Sequence, residues 1–285
     1  MISSLIITFR ETLEIALIVG IILSYLAKTK QSKYNNVVYL GIVSGIVASI
    51  IGAFLFLKLF GQFEGFSEQI FEGITTLIGA VLLTTMILWM LKQKNVASEL
   101  QQKVSKKIAE AKKLGLFILV FVSVLREGIE TVIFLSAASF VSKENNLFGA
   151  FLGIIAAIIL GYLIFVGSKK INIKKFFNIT SILLILFAAG LIAHSAHEFE
   201  EAKILPPLID SVWNLNPEAP RAAEGIYPLL HEEGYIGSIL KSLFGYRASP
   251  SLIEVLVYLS YIIIVIILWR KIEKNKLKLN FYNNI

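Results

Sequence analysis

The chain has 285 residues, of which 56% are hydrophobic and only 16% are charged, and its formal net charge at pH 7 is +7. Soluble domains carry about one quarter charged residues, so this composition excludes an ordinary water-soluble fold. Cysteine is absent, which excludes disulfides, thiolate metal sites and cysteine nucleophiles. Any metal site must therefore use oxygen or imidazole ligands.

Seven apolar blocks follow one another along the chain, each close to the ~20 residues that cross a bilayer as a helix. They predict an all-α polytopic membrane protein with seven transmembrane helices in a single domain, residues 1–285. The blocks cover residues 4–27, 36–60, 70–92, 114–140, 146–168, 176–199 and 251–269. The first block holds Arg10 and Glu11 and has no basic segment before it, so we expect a retained helix and not a signal peptide.

Two connections between the blocks carry signals of their own. Between Lys92 and Lys113, apolar residues recur at helical spacing among lysines, which is typical of a short amphipathic helix at the membrane surface. Residues 204–249 are the longest connection, and they contain five of the six prolines, with the sixth, Pro250, directly after them. They predict an ordered outer loop or small cap.

The distribution of lysine and arginine predicts the orientation. Most of the 27 basic residues lie in alternate connections and after the last block. Because cytoplasmic loops carry the excess of such residues, the N-terminus is predicted outside and the C-terminus in the cytoplasm of a plasma membrane, most simply a prokaryotic one. This distribution explains the net charge without nucleic-acid binding.

Two copies of the pattern R-E-x-x-E lie inside apolar blocks, one in the first helix and one in the fourth. The first copy has Arg10, Glu11 and Glu14, and the second has Arg126, Glu127 and Glu130. A charged side chain near mid-membrane costs about 2.5–3.5 kcal/mol even on the lenient insertion scale, so six of them predict a functional site. A purely structural pairing of helices is the alternative reading.

The spacing of the motif predicts how these residues are arranged. At about 100° per residue, an arginine and both glutamates of each motif share one helix face. Each arginine can hold the glutamate four residues later, while the carboxylates converge on one hard cation. The two motif helices run in opposite senses, which predicts an inverted repeat of three plus three helices, about residues 1–92 and 114–200, with the seventh helix added.

Acidic residues at the mouth of the predicted third helix form a second candidate site. Glu64, Glu68 and Glu72 recur every four residues and would line one helix face if the helix began before Glu64. They fit either a receiving site for iron or acids that stabilise a helix N-terminus through its dipole.

A third candidate site lies at the end of the predicted sixth helix. His194, His197 and Glu201 share a face there, next to Glu198. They fit a secondary iron site or a solvated polar helix end. The segment begins like the zinc-protease pattern H-E-x-x-H, but Glu201 replaces the second histidine, so we expect no zinc protease. The protein as a whole is expected not to be an enzyme.

The two R-E-x-x-E motifs in the first and fourth spans resemble those of the oxidase-dependent iron permeases, the family of the fungal high-affinity iron permease and the bacterial ferrous-iron-uptake permease. Supporting similarity lies in four short segments: F-E-G at 71–73, M-I-L-W-M at 86–90, H-E-F-E-E-A at 197–202 and S-P-S-L-I-E-V-L-V-Y-L-S-Y at 249–261. The resemblance covers nearly the whole chain.

This resemblance implies iron uptake, with iron as transported substrate, Fe³⁺ or Fe²⁺, and no prosthetic group. Glu11, Glu14, Glu127 and Glu130 would carry the ion, and Arg10 and Arg126 would organise them. It also implies a separate extracytoplasmic oxidase, peroxidase or iron-delivery protein. Two alternatives remain at this stage: a permease for another di- or trivalent metal, and a membrane iron sensor or assembly subunit that binds iron without moving it.

Overall fold

The computed structural model describes residues 1–60, 64–92, 96–109, 113–142, 147–165, 173–206, 208–215, 227–232 and 234–282. Within these ranges the chain forms helices and connecting turns and no β-strand. The fold is therefore all-helical, as the composition predicts.

Each of the seven apolar blocks forms one long helix. The described residues contain α1 (Ile2–Lys28), α2 (Asn35–Phe60), α3 (Phe66–Lys92), α4 (Val96–Ala109), α5 (Lys113–Ser142), α6 (Leu147–Phe165), α7 (Ile173–Glu201), α8 (Tyr235–Phe244) and α9 (Leu252–Tyr282). Most predicted ends differ by a few residues. The exception is α9, which continues to Tyr282 because its polar end is rich in lysine and leucine and contains no glycine or proline.

Among the described residues, five helices are long and apolar enough to cross a membrane, namely α2, α3, α6, α7 and α9. The other two long helices, α1 and α5, have 27 and 30 residues, but each carries the three charges of a motif near its middle. Large apolar side chains cover the outward faces of α2, α6 and α9, as Ile50, Phe148 and Ile263 illustrate. Exposed apolar surface on several long helices is what a multi-pass membrane protein presents to lipid.

Among the described residues, the buried apolar side chains form two clusters, and the α1 motif lies between them. One cluster joins Ile7 of α1 to α3, α5, α7 and α9. The other joins Ile22 and Leu26 of α1 to α2, α4 and α5. Arg10, Glu11 and Glu14 fall in the interval between the clusters, and together with the α5 motif they form a polar layer that we call the motif layer.

Three helix pairs make the most extensive contacts: α1 with α6, α2 with α5, and α3 with α7. Glycines allow the first two pairs to approach closely. A Cβ atom at Gly45 of α2 would lie 2.8 Å from Cβ of Val124, and one at Gly153 of α6 would lie 2.2 Å from Oγ1 of Thr8. Thr8 also donates a hydrogen bond of 2.9 Å to the carbonyl oxygen of Ala150, which ties α1 to α6.

The polar stretch after Lys92 forms a helix, α4, as its pattern predicts. Val104 is fully buried in the second apolar cluster, and Leu100 packs against the same cluster. The helix contacts α1 and α5. Its location at the membrane surface stays a prediction.

The long connection, predicted as an outer loop or cap, contains a helix that the sequence reading did not predict. Helix α8 packs against α7 and also contacts α1 and α5. Gly245, at its C-terminal end, has φ +64° and lies against Gly190 in the middle of α7. This segment therefore reaches deep along the bundle. Residues 207, 216–226 and 233 of the predicted loop lie outside the described residues.

Candidate metal centre

The motif of α1 is held by a fully buried arginine. The Nη1 atom of Arg10 lies 3.3 Å from Oε1 of Glu11, and its Nη2 atom lies 3.2 Å from Oε1 of Glu14. The same two nitrogen atoms donate to the sulfur atoms of Met86, at 2.9 Å, and Met90, at 2.8 Å, both on α3. One guanidinium thus links both glutamates of its motif to a neighbouring helix.

The motif of α5 uses its arginine differently. Arg126 donates to Oε1 of Glu127 from both Nε and Nη2, and its Nε lies 3.4 Å from Oε1 of Glu130. Its side chain is 51% exposed, whereas that of Arg10 is 0% exposed. The guanidinium carbon lies 5.9 Å from the ring centroid of Trp89 on α3, within cation–π distance.

The two motifs meet across the interface between α1 and α5. One carboxylate oxygen each from Glu11, Glu14 and Glu127 lies within 4.8 Å of the others. The Oε2 atoms of Glu11, Glu127 and Glu130 are buried and accept no hydrogen bond from the described residues. Carboxylates so close together repel one another, and buried oxygen atoms need a partner. The arrangement is therefore chemically suited to a multivalent cation.

One turn of α3 contacts both motif arginines. Met86 and Met90 accept from Arg10, while Trp89 lies beside Arg126. The M-I-L-W-M segment stands out in the sequence only through family resemblance. Met86 and Arg10 are 76 positions apart, and a single sequence carries no signal for a contact at that separation.

A polar cavity of about 300 Å³ lies at the end of the bundle where α3 begins and α7 ends; we call it the α3–α7 cavity. Five carboxylates and one guanidinium line it, together with His194 and His197. The carboxylates belong to Glu68, Glu72, Glu198, Glu201 and Glu232, and the guanidinium belongs to Arg247. Except for Arg247, the charged residues lining this cavity are acidic.

The structure divides the α7 candidates into two groups. His194 lies 3.4 Å from Oε1 of Glu198, and ligand atoms of these two residues and Glu72 of α3 lie within 4.8 Å of one another. His197 instead lies between two other carboxylates, 2.9 Å from Glu201 and 3.1 Å from Glu254. The structure therefore places His194 with Glu72 and Glu198, and His197 with Glu201 and Glu254. That these residues bind iron stays a prediction.

Glu254 has a structural role at the start of α9. The Ser251 N–H donates to Oε1 of Glu254 at 3.2 Å, and the Glu254 N–H donates to Oγ of Ser251 at 3.1 Å. This reciprocal pair is a capping box. The S-x-x-E signature at 251–254 is the sequence signal for this cap. Arg247 lies 3.5 Å from the same carboxylate oxygen.

The acidic stripe predicted at the mouth of α3 is shorter than expected. Helix α3 begins at Phe66, directly after Gly65, whose φ of +61° is a left-handed turn. Glu64 therefore precedes the helix, is exposed and does not line the α3–α7 cavity. Glu68 and Glu72 lie in the helix and do line it.

The sequence resembles known proteins over most of its length. The model of the iron permease FTR1 family matches residues 1–277. Ferrous iron permease EfeU of Escherichia coli O6:H1 is 34% identical over 264 residues, 90% of this chain and 91% of the relative. EfeU of Yersinia pestis is 33% identical over 270 residues, with 92% and 91% covered.

A protein of Archaeoglobus fulgidus described as uncharacterized is 33% identical over 267 residues, 92% of both chains. No solved structure matches the chain significantly.

Proposed function

The chain belongs to the iron permease FTR1 family, and from that premise we propose that it moves iron ions across the plasma membrane into the cell through the glutamates of its two R-E-x-x-E motifs. Family and relatives are permeases, so the protein is a transporter and not an enzyme. Its several apolar helices make it a multi-pass membrane protein, and its relatives are prokaryotic.

The observation that carries the proposal is the convergence of buried carboxylates between α1 and α5. Glu11, Glu14 and Glu127 offer oxygen atoms within 4.8 Å of one another. When all are ionised, the four motif glutamates and two arginines leave a charge of about −2, which a multivalent cation can balance. Glu130 lies at the edge of this layer, paired with Arg126.

The helix pairing supports an inverted repeat that relates α1 to α5, α2 to α6 and α3 to α7. Under that exchange the α1–α6 contact becomes the α5–α2 contact, and the α3–α7 contact maps onto itself. Both exchanged contacts use closely packed glycines, on α6 and on α2. In transporters built this way, substrate sites lie where the two repeats meet, as the motif layer does here.

Within this proposal seven helices, α1–α3, α5–α7 and α9, cross the membrane, with the N-terminus outside. The α3–α7 cavity then faces the exterior. A separate oxidase, peroxidase or iron-delivery protein would present the ion at that side, as the family resemblance implies.

Iron uptake into proteoliposomes tests the proposal. Radioactive iron is supplied as ferrous ion under reducing conditions and as chelated ferric ion, to wild type and to the single variants Glu14→Gln and Glu130→Gln. The amide keeps the size of the carboxyl but removes its charge, so we expect flux in wild type and its loss in both variants. Glu273→Gln, an exposed position on α9, is the matched control.

The outcomes are distinct. Wild-type rates in both glutamate variants would exclude transport through the motifs. Wild-type protein that binds iron without moving it, even with an oxidase co-reconstituted, would favour the sensor alternative. Equal flux of manganese would favour a broader metal permease, because carboxylate oxygens also suit that ion.

A further inference from the structure

A second group of metal-ligand side chains lies in the α3–α7 cavity, away from the motif layer. Its members are Glu72, His194 and Glu198, whose ligand atoms lie within 4.8 Å of one another. Met86, which contacts Arg10, follows Glu72 on α3 by about 21 Å of helix at 1.5 Å per residue. The group is therefore a separate site and not the edge of the motif layer.

Rigid helices position the three residues. A Cβ atom at Gly73 would lie 2.8 Å from the ring of Phe199, so glycine there lets α3 and α7 approach closely. The Oγ atom of Ser195 donates to the carbonyl oxygen of Gly73 at 2.7 Å and fixes the two helices next to the site. His194 and Glu198 are 9% and 7% exposed. Ligands fixed on packed helices form a preorganised site.

Helix electrostatics do not explain the acids of this group. The first turn of α3 contains Glu68, whereas Glu72 lies in the second turn, where the helix dipole has little effect. Glu198 lies in the last turn of α7, where the negative end of the dipole disfavours a carboxylate. A cation at this place would offset the cost at Glu198 and the repulsion between the two carboxylates.

The neighbouring trio of His197, Glu200 and Glu254 is a weaker candidate. The Glu254 carboxylate already accepts from the Ser251 N–H and contacts Arg247 and His197. Oε2 of Glu200 accepts from Oγ of Ser251 at 2.6 Å. Its carboxylates thus have structural partners at the start of α9.

We infer that Glu72, His194 and Glu198 form a receiving site for a divalent transition-metal ion. One imidazole and two carboxylates favour Fe²⁺, Co²⁺, Ni²⁺ or Zn²⁺ over Mg²⁺ and Ca²⁺, which prefer oxygen ligands alone. The cavity has room for water molecules that complete the coordination shell. Its five carboxylates against one guanidinium raise the local concentration of cations. That Fe²⁺ is the physiological occupant rests on the proposed function.

Cobalt binding to the purified full-length protein in detergent tests the site, because the visible absorption of Co²⁺ changes when imidazole binds. Only three histidines occur in the chain, so each can be tested singly. All measurements use the double variant Glu14→Gln with Glu127→Gln as background, which removes the motif layer as a competing site. His231→Gln is the matched control, since that ring stacks on Tyr227 and does not line the cavity.

We expect Co²⁺ to bind in the background variant, to bind at least about tenfold more weakly after His194→Gln, and to bind unchanged after His231→Gln. Excess Ca²⁺ should leave the bound Co²⁺ in place, whereas excess Fe²⁺ added without oxygen should displace it. Glu198→Gln, checked for a single symmetrical peak in size exclusion, gives a second test if His194→Gln folds poorly. Unchanged Co²⁺ affinity in both variants would overturn the inference. A background variant that binds no Co²⁺ at all would overturn it as well.

The result separates the two proposals. Co²⁺ binding that depends on His194, together with wild-type protein that shows no iron flux, would uphold the site and overturn the proposed function. Iron flux that requires the motif glutamates, without any binding that depends on His194, would do the reverse.

Discussion

At the scale of single residues, the two motifs are alike in sequence and unlike in environment. Arg10 is fully buried, and its two terminal nitrogen atoms each contact one glutamate and one methionine sulfur. Arg126 is half exposed and contacts its own glutamates and the ring of Trp89. The α1 motif is therefore the more firmly positioned of the two.

Replacing Arg10 by lysine tests this positioning role. An ammonium group has one nitrogen atom and cannot contact both glutamates and both sulfur atoms at once. We expect Arg10→Lys to lower iron flux by more than about tenfold while the protein still inserts. The measurement is proteoliposome uptake, with the exposed Arg270→Lys on α9 as control. Equal flux in Arg10→Lys and wild type would show that charge alone suffices.

Glu232 of the long connection supports a prediction about pH. Burial acts to raise the pKa of its carboxyl, but the hydrogen bond and charge of Lys241, the Ala248 N–H and the charge of Arg247 outweigh it, so the pKa lies below its ordinary value of 4.5. The Lys241 Nζ atom lies 2.7 Å from Oε2 of Glu232. Because folding lowers this pKa, the interaction stabilises fully above the unfolded pKa and is lost as the pH falls through the folded one.

Thermal unfolding in detergent measures that contribution. Glu232→Gln should unfold at a lower temperature than wild type near neutral pH, because the amide lacks the charge that pairs with Lys241. The difference should shrink as the pH falls below about 4.5. Glu273→Gln, which is exposed on α9, should show no such dependence. A difference that stays constant into acid would mean that the Glu232 charge is not the cause.

At the scale of helices, the contact between α7 and the end of α8 fixes the long connection against the bundle. A Cβ atom at Gly190 would lie 2.5 Å from Cα of Gly245, and Gly245 has φ +64°. The backbones touch directly, so neither position has room for a side chain.

Gly190→Ala should therefore destabilise the protein. Overpacking of this kind costs about 1–3 kcal/mol, which lowers the unfolding temperature by a few degrees. Gly52→Ala on α2 is the matched control, because no atom lies within 4 Å of the position its Cβ would take. Equal unfolding temperatures for the two variants would contradict the close α7–α8 contact.

At the scale of the whole molecule, the candidate metal-binding groups occupy two levels. The motif layer lies between two apolar clusters, and the α3–α7 cavity lies at one end of the bundle. Both levels use α3, whose early turns carry Glu68 and Glu72 and whose later turns contact the arginines. This helix connects the cavity with the motif layer.

The orientation of the molecule is testable because the chain contains no cysteine. Single cysteines at the exposed positions Asp210 and Glu273 lie on opposite sides of the membrane if the N-terminus is outside. A maleimide that does not cross membranes should label Asp210→Cys in intact cells and Glu273→Cys only after permeabilisation. The reverse pattern would invert the predicted topology.

Much of the fold could be predicted because its signals are local. Hydropathy located all seven long helices to within a few residues, apart from the end of α9, since each apolar block has the length of one span. The amphipathic pattern after Lys92 predicted α4. The helix α8 was missed because proline and glycine around it resemble a loop, and its stability depends on packing against α7.

The candidate site, like the fold, could be predicted from the sequence only in part. The sequence by itself determined the class of protein and the two charged motifs, because composition and the 3.6-residue period act within one helix. The family followed from the resemblance of those motifs and their flanking segments to the iron permeases. Only the tertiary structure decided that Glu127 joins Glu11 and Glu14, that Met86 and Met90 hold Arg10, and that Glu72 meets His194. Those groupings depend on which helices pack together and at what height, and periodicity within one helix carries no information about either.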